Sequence, residues 1–248
     1  MRNLLLLALL IPLSSLADPK PIPPKTVVLT FDDAPRSHGE FVAPLLKKLG
    51  FGATFFISEG FNFTTDKKNF LTWEEIRKLH DDGFEIGNHT RHHTAVIKQN
   101  EAQLRADVEY IDRKCAEFGI PKPVTFCYPA YRTNEQAVRV LRDMGFRMAR
   151  SGGKQAADLT TDEPLKLPQA FDGKPDRTLK DFIAAAEMAK EGKAAIFTFH
   201  GVPDRVHPWV NTEPEKFEAY MQYLKDNDYN VIALRDLIPY LPATSKEP

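Results

Sequence analysis

Cysteine and tryptophan are scarce in this chain, two of each in 248 residues. Two cysteines, Cys115 and Cys127, exclude a disulfide-dense scaffold and a four-thiolate metal site. They leave room for one bridge or for two buried thiols, Cys115 in a helical pattern and Cys127 in a strand pattern. Net charge is nearly absent as well. Thirty-three Lys and Arg stand against 34 Asp and Glu, a balance of -1, so the chain has no electrostatic footprint for nucleic acid or an anionic membrane. Long hydrophobic runs are missing too. The strongest, Leu4 to Leu13, holds about ten residues and is broken by Pro12, well short of the roughly 20 that cross a bilayer as a helix. No internal repeat at a fixed period is present, which excludes a solenoid or propeller.

The N-terminus carries a recognisable pattern. A basic start at Arg2, the short apolar run, and Ser15, Leu16 and Ala17 before Asp18 read as a secretory signal peptide over residues 1–17. The expectation is an exported protein with no membrane anchor after cleavage. Residues 18–25, DPKPIPPK, read as a Pro-rich extended linker, residues 26–241 as one catalytic domain, and residues 242–248 as a tail.

Within the domain, short apolar runs alternate with amphipathic stretches. KTVVLTF, GATFFI, FEIGN, PVTFCYP, FRMAR, AAIFTF and YNVIAL read as strands. The segments between them read as helices, among them TWEEIRKLHDDG, with Thr72 as cap and Glu75 three residues later. RDLIPYL reads as a short final helix, and residues 151–175 as a long loop with one short strand. Six or seven β–α units imply a single α/β domain with a parallel sheet, either a (β/α) barrel, complete or not, or an open doubly wound sheet. In both, functional groups gather beyond the carboxyl ends of the strands.

The ionisable residues fall at those ends. Strand one stops at Asp32-Asp33, strand three runs into His89, His92 and His93, and AAIFTF runs into His200. Adjacent carboxylates at the end of a buried strand repel and are costly to desolvate, and a divalent cation removes both problems. Two histidines with a carboxylate make a three-ligand site with open positions. His89 pairs with either His92 or His93 by spacing. Taken singly, each feature has an ordinary structural explanation as turn chemistry, surface histidine or buried histidine; their coincidence at three strand ends points to one hydrolytic site.

These residues resemble the polysaccharide deacetylases of carbohydrate esterase family 4, the NodB homology domain, over about Thr26 to Leu241. Thr30-Phe31-Asp32-Asp33-Ala34-Pro35 and His89-Thr90-Arg91-His92-His93 match the family's first two motifs. The resemblance implies a distorted, incomplete (β/α) barrel of the seven-stranded type. It implies Asp32 as general base, Asp33, His89 and His93 as ligands of zinc (cobalt or nickel as alternatives), Thr90 as support for the histidine loop, and His200 as general acid. The substrate is expected to be a carbohydrate, a peptidoglycan, chitin-type or exopolysaccharide amino sugar losing N-acetyl or O-acetyl groups, and the protein a monomer or weak oligomer.

The later motifs depart from the pattern. Cys127-Tyr128-Pro129-Ala130 has cysteine where the family has arginine, so the usual charge partner of the base is missing, and Arg132 and Arg150 are the candidates to replace it. The backbone amide of Ala130 is expected at the oxyanion, with Tyr128, Pro129, Tyr131 and Trp209 lining the sugar groove. No aspartate–tryptophan pair is found for the acid histidine; Asp158, Asp162 and Asp172 are candidates. Thr198 stands for the acyl-pocket leucine. Other readings are a hydrolase of a small amide, a deformylase, or an inactive sugar-binding module. A haloacid-dehalogenase phosphatase needs Asp-x-Asp spacing and has no use for HTRHH.

Overall fold

Seven consecutive buried residues, Thr26–Asp32, form β1, and the rest of the domain is arranged around it. Val27, Leu29 and Phe31 pack outward into one apolar cluster, and Val28 packs inward into another with Phe56, Cys127 and Ile196. A strand that is apolar on both faces needs cover on both, the situation of a parallel strand between helices and a filled interior. The computed structural model describes residues 20–242 of the chain. The expected leader 1–17, the first two linker residues and the tail 243–248 lie outside the described residues.

The elements follow in the order β1, α1 (Ala43–Leu49), β2 (Thr54–Ile57), α2 (Trp73–Asp81), β3 (Glu85–Asn88), α3 (Glu101–Glu117), β4 (Thr125–Cys127), α4 (Glu135–Asp143), β5 (Met148–Arg150), β6 (Phe171–Asp172), α5 (Leu179–Ala186), β7 (Ala195–Phe199), α6 (Pro214–Asp226) and β8 (Asn230–Ile232). The strand order is β5-β4-β3-β2-β1-β7-β6, with β8 beside β1. All these strand pairs are parallel. β8 takes Thr26–Val28 of β1 and β2 takes Thr30–Asp32, so the two share one edge of the central strand. β5 and β6 lie at the two ends of the order. The sheet is therefore a curled, incomplete barrel, as the resemblance implied.

Packing and capping explain why the elements form where they do. Phe31 stacks between Phe55 at 5.1 Å and Phe199 at 5.6 Å on the strands either side, and each such pair contributes about 0.5–1.5 kcal/mol beyond area burial. The capping box expected at Thr72 is present: its hydroxyl accepts from the Glu75 amide, and Glu75 accepts from the Thr72 amide. Asn100–Gln103 and Thr178–Asp181 repeat the device for α3 and α5. The base of the barrel is closed by the 3-10 stretch Leu234–Tyr240, whose Leu234 and Leu237 fill the interior. There the buried Glu85 accepts from Thr54, Thr125 and the Arg235 amide.

Two local expectations change. The helix expected between the first two strands begins as a wide π-type turn, His38–Val42, before α1. Pro44 has no N–H for the Glu40 carbonyl and its ring crowds that carbonyl, which widens the turn. RDLIPYL is 3-10 rather than α, with Pro239 inside it.

Candidate active site

Side chains alternate across a strand, so two adjacent aspartates ought to point to opposite faces. They do not here, because the chain leaves β1 in the left-handed region at Asp33 (φ 71°) and Ala34 (φ 55°). Asp32 keeps the inward direction of the strand, and the turn swings Asp33 round to the same side. The loops after β2, β3 and β4 bend the same way, with Phe61, Thr90, His93, Ala130 and Tyr131 all at positive φ. Non-glycine residues in this region cost of order 1–3 kcal/mol each and gather at functional sites. The bends meet in a hollow of about 200 Å³ at the carboxyl ends of the strands.

The floor of the hollow holds a donor set. Asp33 Oδ1 lies 3.4 Å from His89 Nε2 and 3.4 Å from His93 Nε2. That oxygen is buried and has no hydrogen-bond partner. His89 Nδ1 donates to the Cys127 carbonyl at 2.7 Å, which fixes the ring with Nε2 toward Asp33; burial works against a charge there, but Cys127 and Asp33 outweigh it and raise the proton affinity of His89 well above the ordinary histidine value. Burial pushes the His93 imidazole down to about 4 against the pull of Asp33, so this ring is neutral at physiological pH. Asp33, His89 and His93 place three ligand atoms within 4.8 Å of one another, which suits one divalent cation that takes the place of the His89 proton. His92, the alternative by spacing, turns away and binds Asp107 at 2.6 Å. Thr90 accepts the His93 amide at 3.2 Å, and Asn88 accepts the Thr90 amide at 2.9 Å.

Asp32, nearly fully buried, is held by a different group. Its Oδ2 accepts from Arg150 Nη2 at 2.5 Å. Arg150 stands directly beside Cys127 in the β4–β5 register, so the guanidinium reaches the usual place from the next strand at the same height. Arg132, the other candidate named above, is exposed instead, because the chain turns outward after Tyr131 toward the α4 cap. Arg150 Nη1 also donates to Gln169 Oε1, which accepts from Thr198 Oγ1 as well. Thr198 thus completes a polar network where an acyl pocket was expected. Burial works against a charge on Asp32, but Arg150 outweighs it and holds the carboxyl below its ordinary value. Asp32, His89 and Cys127 also lie close together, but Arg150 Nη2, 2.6 Å from Cys127 Sγ, already supplies the cation there. Both cysteines are free and buried.

His200 Nε2 lies 3.9 Å from Asp32 Oδ2 and 4.0 Å from Asp33 Oδ2. Its Nδ1 is buried and unpartnered, so none of the three candidate aspartates bonds it. Asp158 and Asp162 are engaged with each other's turn, away from the hollow. Asp172 is paired with Lys174 at 2.7 Å and accepts from Tyr131 at 3.3 Å.

Among the expected groove residues, Ala130, Tyr131 and Trp209 border the hollow. Tyr128 borders it too, but it is fully buried and its hydroxyl is committed to the Leu165 carbonyl at 2.8 Å; it is a packing residue, as is the buried Pro129. Phe61, Lys174 and His207 also line the hollow and went unread in the sequence. The Asp204-x-x-His207 spacing in the loop after β7 was the available signal for His207.

A family model described as Polysaccharide deacetylase matches residues 20–149, just over half of the chain. The peptidoglycan-N-acetylglucosamine deacetylase of Bacillus cereus is 26% identical over 125 residues, 50% of this chain and 54% of that one. The chain spans about half the length of the curated relatives it matches. In fold, the chitin deacetylase of Colletotrichum lindemuthianum is similar at TM-score 0.63 and 19% identity, over 87% of this chain and 88% of that one. The family 4 acetyl xylan esterase of Clostridium thermocellum, solved with a cobalt ion, is similar at TM-score 0.60 and 22% identity, over 89% and 96%. With the matched segment carrying Asp32, Asp33, His89 and His93, the chain belongs to the polysaccharide deacetylase family.

Proposed function

We propose that this chain is an exported, metal-dependent hydrolase that removes N-acetyl groups from an amino-sugar polysaccharide. The observation that carries the reading is the unpartnered, buried Asp33 Oδ1, 3.4 Å from two imidazole nitrogens and adjacent to a second carboxylate held apart by Arg150. Family membership and the leader pattern support the substrate class and export. Asp33, His89 and His93 would hold zinc, which suits two imidazoles and one carboxylate and, when bound, polarises an acyl carbonyl and acidifies water.

The chain's own groups then divide the proton work. Asp32, ionised at neutral pH and fixed by Arg150, takes a proton from the attacking water through its unpartnered Oδ1. His200, whose Nε2 stands 3.9–4.0 Å from both aspartates across the hollow, donates to the leaving nitrogen. The Ala130 amide, on a backbone turned to positive φ, steadies the oxyanion; one such donor is worth about 2.7–4 kcal/mol in studied enzymes.

The three relatives are named for peptidoglycan, chitin and acetylated xylan, so the test is acetate release from all three polymers. Release from at least one amino-sugar polymer, lost on chelation and restored by zinc, is the expected result. A metal-loaded protein that frees acetate from none of them overturns the reading in favour of a small-amide hydrolase or a binding module.

A further inference from the structure

The mechanism makes no use of one histidine in the hollow. His207 has a side chain only 9% exposed, yet it lines the same space as Asp33, His93 and His200. It is built into place by Asp204, whose carboxylate accepts the amides of Gly201, Val206 and His207 at 2.7–3.2 Å. His207 Nδ1 faces Asp204 Oδ1 at 3.6 Å. The ring edge is clamped by Phe61 at 4.6 Å and Trp209 at 5.3 Å. Phe61 packs on its other side against His93 at 4.5 Å. One phenyl ring therefore separates His207 from the donor set.

This arrangement fixes every part of the imidazole except Nε2, which bonds no group among the described residues. His38 shows the contrast: a fully buried histidine whose Nε2 is tied to the His200 carbonyl at 2.9 Å. His207 is also absent from the clusters that could hold a metal. Beside it Trp209 is 66% exposed, the most exposed large apolar side chain described. An anchored polar tip next to an open aromatic face is a sugar-binding arrangement, since a pyranose has an apolar face and hydroxyls at its rim.

We propose that His207 is a substrate-positioning residue. Its Nε2 hydrogen-bonds a hydroxyl of the sugar next to the one being deacetylated, while that neighbouring ring lies on Trp209. The inference rests on the carbohydrate reading above. A hydroxyl is favoured over a carboxylate because the cations nearby are already matched, Lys174 to Asp172 and Arg150 to Asp32. Asp204 raises the proton affinity of His207, and a hydroxyl suits the ring in either form, accepting from Nε2–H and donating to a bare Nε2.

The test compares the N-acetylglucosamine tetramer with p-nitrophenyl acetate, a small acetyl ester with no second sugar, on the zinc-loaded protein. His207→Phe keeps the ring packing and removes the nitrogen; His207→Gln keeps a polar tip. The ratio of kcat/KM for the tetramer to that for the aryl ester is expected to fall about tenfold in His207→Phe, the scale of one hydrogen bond. The loss should appear in KM rather than kcat, with partial recovery in His207→Gln. An unchanged ratio overturns the proposal, as does a loss confined to kcat. A larger loss for an oligomer carrying a carboxylate on the neighbouring sugar than for the neutral tetramer overturns the hydroxyl assignment. Tetramer binding read from Trp209 fluorescence, with Trp209→Phe as control, separates this proposal from the catalytic reading. Binding that His207→Phe weakens supports the subsite even where the wild type releases no acetate; no binding by the wild type overturns it.

Discussion

Asp32 and Arg150 are a buried ion pair whose partners come from strands 118 residues apart in sequence. Removing one member of such a pair leaves an uncompensated charge and costs about 3–5 kcal/mol. Arg150→Met is therefore expected to lose stability on that scale in urea denaturation. It also removes the group that holds the Asp32 carboxyl down, so the acid limb of the kcat/KM profile should move to higher pH. A limb that stays in place would show that Asp32 is not the base or that Arg150 does not tune it. Asp32 itself was legible because the residues around it, Thr30 to Pro35, form a continuous local pattern. Arg150 was one of two candidates, and only the pairing of Cys127 with Arg150 across β4 and β5 chose between them.

At the scale of elements, strands supply direction and loops supply convergence. β1 and β3 deliver Asp32 and His89 to one end of the sheet, and the left-handed bends at Asp33 and His93 turn the next aspartate and the second histidine inward. Those bends leave little space. A Cβ on Gly60 would stand 2.9 Å from His93 Cβ and 3.3 Å from the His92 carbonyl, closer than packed atoms tolerate. If the proposed metal site is right, Gly60→Ala is expected to shift His93 and weaken divalent-metal binding by about 10–100-fold, the range seen when support for a ligand is disturbed. Competition against a chromophoric chelator measures this, and unchanged affinity would mean that the loop yields without moving the imidazole. The strands and most helices could be read from period and caps. The π-type turn before α1 could not, because it depends on how Pro44 and Glu40 meet in space.

For the whole molecule, stability and acid sensitivity are coupled through buried histidine. Burial in the core pushes His38 down to about 4 despite its bond to the His200 carbonyl. Between about pH 6.5, the ordinary histidine value, and 4 the unfolded chain binds more protons than the folded one. Stability therefore falls as pH drops through this window, by up to about 3 kcal/mol from this group. Urea midpoints measured from pH 7 to pH 4 should show this slope, and His38→Phe should flatten it; an equally steep curve in the variant would assign the effect elsewhere. Hydrophobic alternation, capping residues and two local motifs were enough to specify a parallel α/β domain and to name the aspartates and histidines that meet at its strand ends, because each is written in residues close together in the chain. The partner of Asp32, the exclusion of Arg132 and Tyr128 from the expected roles, and the place of His207 were decided by tertiary structure. Each depends on which strands become neighbours and which side chains are left room, and neither follows from spacing along the sequence.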